Sequence, residues 1–105
     1  GAVFTYHVRQ DLPADAKRVF VASEEIRLTR TEFNLLAALA KHAGKVLTHR
    51  QLLQEVWGPQ YHDETNYLRV YMAQIRRKLE PDPARPRFFI TEPGMGYRFE
   101  PEGTP

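Results

Sequence analysis

A chain of 105 residues with 42% apolar and 27% charged side chains fits one globular domain with a single core and leaves no room for a second. It has no cysteine, which excludes disulfides and thiolate metal sites and fits a reducing compartment. No apolar run approaches the roughly 20 residues that span a bilayer, so no membrane role is expected. The net charge of +2 is modest. Between 69 and 87, however, Arg69, Arg76, Arg77, Lys78, Arg85 and Arg87 face only Glu80 and Asp82. On charge alone, that excess suits a nucleic-acid footprint and an ordinary solvated surface equally.

In chain order, the first 28 residues hold short β-leaning runs, VFTYHVRQ, KRVFVA and EIRL, separated by turn-rich pieces such as DLPADA, and read as a small antiparallel sheet. The opening GAVFTYHVRQ lacks the basic-then-apolar order of a signal peptide and reads as a piece of a longer cytoplasmic protein. The pattern then changes period. In TRTEFNLLAALAKHAGK, Phe33, Leu36, Ala37 and Ala40 recur at helical spacing; Thr29 with Glu32 forms a capping box, and Gly44 is the expected stop. In VLTHRQLLQEVWGP the pair Thr48 and Gln51 repeats the box, and Gly58-Pro59 closes a second helix. The link HAGKVL is short, so the two helices should pack together.

A third helix is predicted from Glu64 to about Glu80, with Asp63 and Glu64 capping its start and PDPARP ending it. With Leu68 at the centre of a helical wheel, Met72, Ile75 and Leu79 fall within about 40 degrees of it, and Tyr71 flanks this core face. FFITEPGMGYRF reads as a hairpin with Pro93-Gly94 at the centre of a type II turn. Tyr97 and Phe99 share one face there by period two. The PEGTP tail is expected to fray.

The third helix presents Asn66, Val70, Ala73 and Arg77 opposite its core face, with Gln74 alongside and Arg69 and Arg76 on one flank. A solvated face usually carries Glu and Lys. The major groove of B-DNA gives these residues a use: Asn and Gln pair with adenine, Arg with guanine, and small apolar side chains meet the thymine methyl and let the helix approach. Asn66, Arg69, Val70, Ala73, Gln74 and Arg77 are therefore the candidate base readers. Candidate phosphate ligands are Thr48, His49, Trp57, Tyr71, Arg76, Thr91 and Tyr97, with Trp57 favoured as a core anchor. His7, His42, His49 and His62 have no metal-ligand spacing, and neither a Ser/His/Asp set nor a phosphate loop is present. No enzyme, metal or cofactor is expected.

The runs LTRTEFNLLAALAKHAGKVLTHRQLLQEVWG, NYLRVYMAQIRRKLE and ITEPGMGYRF resemble the DNA-binding output domain of OmpR/PhoB-type response regulators across nearly the whole chain. Within that family VWGP, YLRVYM and KLEPDPARPRFFITEPGMGYRF are most similar to the potassium-responsive members. The resemblance implies an α+β winged helix-turn-helix: a four-stranded antiparallel N-terminal sheet, a three-helix core and a C-terminal wing, filling residues 1–105. It implies a receiver domain elsewhere in the protein, phosphorylated by a sensor histidine kinase and supplying dimerisation. Two output domains would then bind half-sites on double-stranded DNA and control transcription, as of a potassium-transport operon. It also implies that Gly58, Pro59, Gln60, Tyr61, His62 and Asp63 face RNA polymerase. The wing residues Pro93, Gly94, Met95, Gly96 and Arg98 would approach the minor groove. Two departures stand out: Pro93 occupies a place where many relatives carry arginine, leaving Met95 or Arg98 to serve or the wing to meet only the DNA backbone, and DLPADAKRVFVASEE lacks the glycine usual at a strand turn. The rival reading from another class is a winged-helix module that binds a protein through the same helix and wing.

Overall fold

A computed structural model of the chain describes residues 4–7, 18–21 and 24–104. Strands β1 (Phe4–His7), β2 (Arg18–Val21) and β3 (Glu24–Ile26) form an antiparallel sheet in that order. Three strands, rather than the four implied by resemblance, occur among the described residues; the turn DLPADA lies outside them. Ile26 and Leu28, partly buried, pack against the helical core.

Helix α1 (Arg30–Lys41) starts from Thr29 in extended geometry. The Thr29 hydroxyl accepts from the Glu32 amide at 3.2 Å, and the Glu32 carboxylate accepts from the Thr29 amide at 2.8 Å. The same box, Thr48 with Gln51, opens α2 (His49–Val56) with bonds of 2.9 and 3.1 Å. Each cap contributes about 1 kcal/mol, which decides where these short helices begin. Gly44 is not the residue that stops α1. The helix ends at Lys41, and Gly44, at φ +83°, turns the chain so that its N–H reaches the Phe99 carbonyl at 2.8 Å.

Helix α3 (Thr65–Leu79) buries Leu68, Met72, Ile75 and Leu79 against Leu35, Leu36 and Leu39 of α1 and Leu52 and Leu53 of α2. Burial of each such side chain contributes roughly 1.5–3 kcal/mol, so one face of α3 is anchored and the other is left outward. The expected carboxylate cap at its start is absent. Glu64 occupies the N-cap without a side-chain cap bond and instead accepts from the His62 amide at 3.2 Å, while the Asp63 carboxylate pairs with His62 at 3.3 Å.

The wing contains one strand more than the hairpin. Val46–Thr48, read from sequence as the end of the interhelical link and the cap of the second helix, is β4; it pairs antiparallel with β6 (Gly96–Phe99), which pairs with β5 (Phe89–Glu92), giving the order β4-β6-β5. The extended backbone that an N-cap residue needs also lets Thr48 end a strand, so β4 runs directly into α2. The turn is type II as expected: Met95 N–H returns to Glu92 O at 3.0 Å with Gly94 at φ +76°. Both Tyr97 and Phe99 pack inward. The tail, expected to fray, is hydrogen-bonded at Thr104, whose amide and hydroxyl both donate to Arg87 O, at 2.8 and 3.2 Å.

The β4–β6 crossing leaves no space at Gly96, where a Cβ would lie 1.8 Å from the Leu47 carbonyl oxygen and 2.9 Å from Thr48 Cα. Both obstacles are backbone, so neither can rotate away. Gly96→Ala is expected to destabilise the domain by on the order of 3 kcal/mol, the upper end for overpacking, measured by urea unfolding; a loss below about 1 kcal/mol would refute this account of the wing.

Candidate nucleic-acid interface

The anchored helix α3 turns Asn66, Arg69, Val70, Ala73 and Arg77 to solvent, with Gln74 half-buried beside them. Val70 is 52% exposed, unusually open for a large apolar side chain. Neither Arg69 nor Arg77 makes a hydrogen bond or ion pair with another described residue. The face thus combines two unengaged cations, an amide pair and small apolar groups, with no acidic side chain.

The other cations of α3 are engaged by neighbouring elements. Lys78 reaches across to α1, its Nζ 2.5 Å from the Glu32 carboxylate. Arg76 is half-buried. Its Nε and Nη2 donate to the Phe89 carbonyl at 3.0 and 2.7 Å, and Nη2 also donates to Thr91 Oγ1 at 2.7 Å. The expectation that Arg76 is a phosphate ligand therefore meets a guanidinium already engaged by the wing, and burial draws its pKa down. Tyr97, also expected at phosphate, is only 6% exposed; its ring meets the edge of His49 at 5.7 Å and the Arg76 guanidinium at 5.9 Å. Trp57 and Tyr71 are half-buried with ring centroids 5.5 Å apart, the core role favoured for Trp57. Thr48 and Thr91 remain exposed, and His49 is half-exposed at the start of α2, its N–H bonded to Met95 O at 3.2 Å.

At the wing tip Pro93, Gly94 and Met95 are exposed, Met95 by 56%. Arg98, named for the place of the missing cation, is already ion-paired. Its Nε lies 3.0 Å from the Glu92 carboxylate and its Nη1 bonds Glu100, contacts that raise its pKa. The segment from Gly58 to Asp63 is a compact turn with Gly58 at φ +134°. Tyr61 N–H bonds Gly58 O at 3.1 Å, and the Tyr61 ring lies 6.2 Å from that of Tyr67. Pro59, Gln60, His62 and Asp63 face outward.

Sequence reasoning missed Glu80, counted only as residual negative charge. It is buried, and its two oxygens accept from the amides of Arg87, Phe88 and Phe89 at 2.8–3.3 Å. Nothing local in LEPDPARPRFF signals this, because the partners are brought together only by the reversal that the prolines create.

Residues 23–99 match the family described as transcriptional regulatory protein, C terminal. The chain belongs to that family. Among curated relatives, it is 58% identical over 84 residues to the KDP operon transcriptional regulatory protein KdpE of Escherichia coli, and 55% identical over 84 residues to KdpE of Mycobacterium tuberculosis. In both cases the match covers 80% of this chain and 37% of the relative. Its fold superposes on the Klebsiella pneumoniae RstA DNA-binding domain, solved in complex with the RstA box, with TM-score 0.75 and 27% identity over 85% of this chain and 88% of the other. The Thermotoga maritima OmpR/PhoB homologue DrrB gives TM-score 0.73 and 36% identity over 83% of this chain and 39% of that one. The winged-helix class and the OmpR/PhoB likeness therefore hold. No described helix is long and apolar enough to cross a membrane.

The Glu32–Lys78 pair ties the outward helix to α1 and sets a pH dependence. Burial pushes the Glu32 carboxyl up, but the Lys78 ammonium and the Thr29 bonds outweigh it and hold its pKa below the ordinary carboxylate value. A lowered folded-state pKa means that the stabilisation is complete above the unfolded pKa and is lost as pH falls through the folded one. Lys78→Met should cost about 1–2 kcal/mol near neutrality, after allowing for solvent around the ammonium. The gap to wild type should shrink in mild acid, where the stranded carboxyl protonates. Chemical denaturation across pH checks this, and a pH-independent gap would exclude the pair as its cause.

Proposed function

We propose that this DNA-binding domain reads operator half-sites through the outer face of α3 in the major groove, as the output domain of a two-component response regulator. The observation that carries the reading is that face itself: Asn66, Arg69, Val70, Ala73, Gln74 and Arg77, without an acidic residue and with both arginines unengaged by other described residues. Amides and arginine supply bidentate contacts to adenine and guanine, and Val70 and Ala73 suit the thymine methyl. Thr48 and Thr91, which are exposed, and His49, which is half-exposed, are the proposed phosphate ligands. The wing tip carries Pro93 and Met95 and no free cation, so its approach to the minor groove is apolar and does not use an inserted arginine.

The chain spans just over a third, 37%, of the length of the KdpE relatives it matches. What surrounds it in the whole protein is part of the proposal: a receiver domain that dimerises when a sensor histidine kinase phosphorylates it, and a cytoplasmic location. Control of a potassium-transport operon is supported by the likeness to KdpE. The outward turn from Gly58 to Asp63 is the proposed contact with RNA polymerase. Half-sites about one helical turn apart would bring two copies to one side of the duplex.

The reading is tested by fluorescence-anisotropy titration of a potassium-transport promoter fragment and a scrambled duplex across a salt series. Tighter binding to the promoter at every salt is expected, with affinity falling as salt rises by about 0.9 in log–log slope for each cation that reaches a phosphate. Equal binding to both duplexes would remove the operon assignment. No binding at low salt would overturn DNA recognition and favour a protein partner for α3 and the wing. Within this reading, Gln74→Ala and Arg69→Ala should each relax preference at one base position, by on the order of 1–3 kcal/mol of discrimination. Selection from randomised duplexes reads this directly, and a uniform loss across all sequences would withdraw base reading from both residues.

A further inference from the structure

Among the described residues, strand β5 is the edge of the wing sheet, with β6 on one side and no strand on the other. Phe89 pairs in register with Phe99 of β6, and α3 also engages its backbone through both its amide and its carbonyl. The Phe89 amide donates to Glu80 Oε2 at 2.8 Å, and its carbonyl accepts from Arg76 Nε and Nη2 at 3.0 and 2.7 Å. Residues 76 and 80 lie one helical turn apart and so reach neighbouring points on the strand. From the same Nη2, Arg76 also reaches Thr91 Oγ1, two residues along the same edge. A planar guanidinium holds several acceptors in a fixed fork, and a lysine ammonium does not reproduce that geometry.

We propose that Arg76 is a positioning residue for DNA recognition: a strut that fixes the wing against α3, acting through the wing's placement and not through a phosphate. The inference rests on the DNA-binding reading above. Helix and wing must meet one duplex together, and a wing already held in place avoids an ordering cost on binding. The strut also predicts an unusual salt signature. Loss of a cationic phosphate ligand lowers the salt slope by about 0.9. Loss of the strut displaces a wing whose own arginine, Arg98, is ion-paired with Glu92 and Glu100, so no cationic contact to DNA is lost with it.

The experiment uses the wild-type chain, Arg76→Ala and Arg76→Lys, with a duplex that the wild-type chain itself enriches from a randomised pool. Affinity is measured across a salt series, and amide hydrogen exchange is measured without DNA. Both variants are expected to bind on the order of tenfold more weakly, with the salt slope unchanged. Exchange should quicken at Met95 and His49, whose amide bonds close the wing tip, while the buried turns of α1 and α3 keep their protection. Restoration of wild-type affinity by Arg76→Lys would overturn the proposal, as would a slope lowered by about one charge with wing exchange unchanged. If Arg76→Ala does not fold, Arg76→Lys decides alone, because it keeps the charge and removes the fork. Failure of the wild-type chain to enrich any duplex is a separate result, which would overturn the DNA-binding reading and this inference with it.

Discussion

The architecture depends on how a short sheet edge is satisfied beside a helix. An unpaired backbone group removed from water costs about 1–3 kcal/mol, and the start of β5 brings several together at the end of α3. The buried Glu80 carboxylate accepts from three consecutive amides, Arg87, Phe88 and Phe89, while Arg76 caps the Phe89 carbonyl. Charged groups make the stronger hydrogen bonds, and the surrounding protein raises their strength further. The chain reversal after α3 is therefore held by ionic side chains of the helix itself, and the wing is built onto α3 as much as onto α2.

That arrangement links the two ends of the fold. Gly44 N–H meets Phe99 O, β4 lies beside β6, and His49 N–H meets Met95 O. The connection between α1 and α2 is thus threaded along the wing sheet, and the capped start of α2 sits at the wing tip. On the opposite side Lys78 ties α3 to the capping box of α1 through Glu32. One carboxylate consequently serves a helix N-terminus and an interhelical pair at once. The outward face of α3 is positioned by contacts on every other side of the helix.

Much of this was legible in the sequence, for identifiable reasons. Helical periodicity located Leu68, Met72, Ile75 and Leu79, because burial of a stripe leaves a period-3.6 trace. The threonine boxes and Pro93-Gly94 are local rules, and local rules survive folding. What escaped notice depends on partners far along the chain. Val46–Thr48 is three residues long and becomes a strand only because β6 lies beside it. Glu80 looks like one more solvated charge until Phe88 and Phe89 fold back onto it. The tail looked free because its anchor, Arg87, is seventeen positions away. The proposed base-reading face is a pattern of residue types, and the structure leaves Asn66, Arg69, Val70, Ala73 and Arg77 outward with Gln74 half-buried. Arg76 and Tyr97 were placed with the phosphate ligands on residue type alone, and their burial is a tertiary property.

The basic run from 69 to 87 illustrates why charge counting misleads at such a site. On α3 itself four cations occur, and their directions divide them evenly: Arg69 and Arg77 outward, Arg76 toward the wing and Lys78 toward Glu32. Arg76 and Lys78 each already have oxygen partners that DNA would have to displace. On the inference proposed above, they serve by holding the helix relative to the wing and to α1. Affinity from counterion release scales with cations that reach phosphate, whereas discrimination between bases depends on side chains held in register with the groove floor. A helix that assigns half its charge to its own placement gives up some of the first and gains in the second.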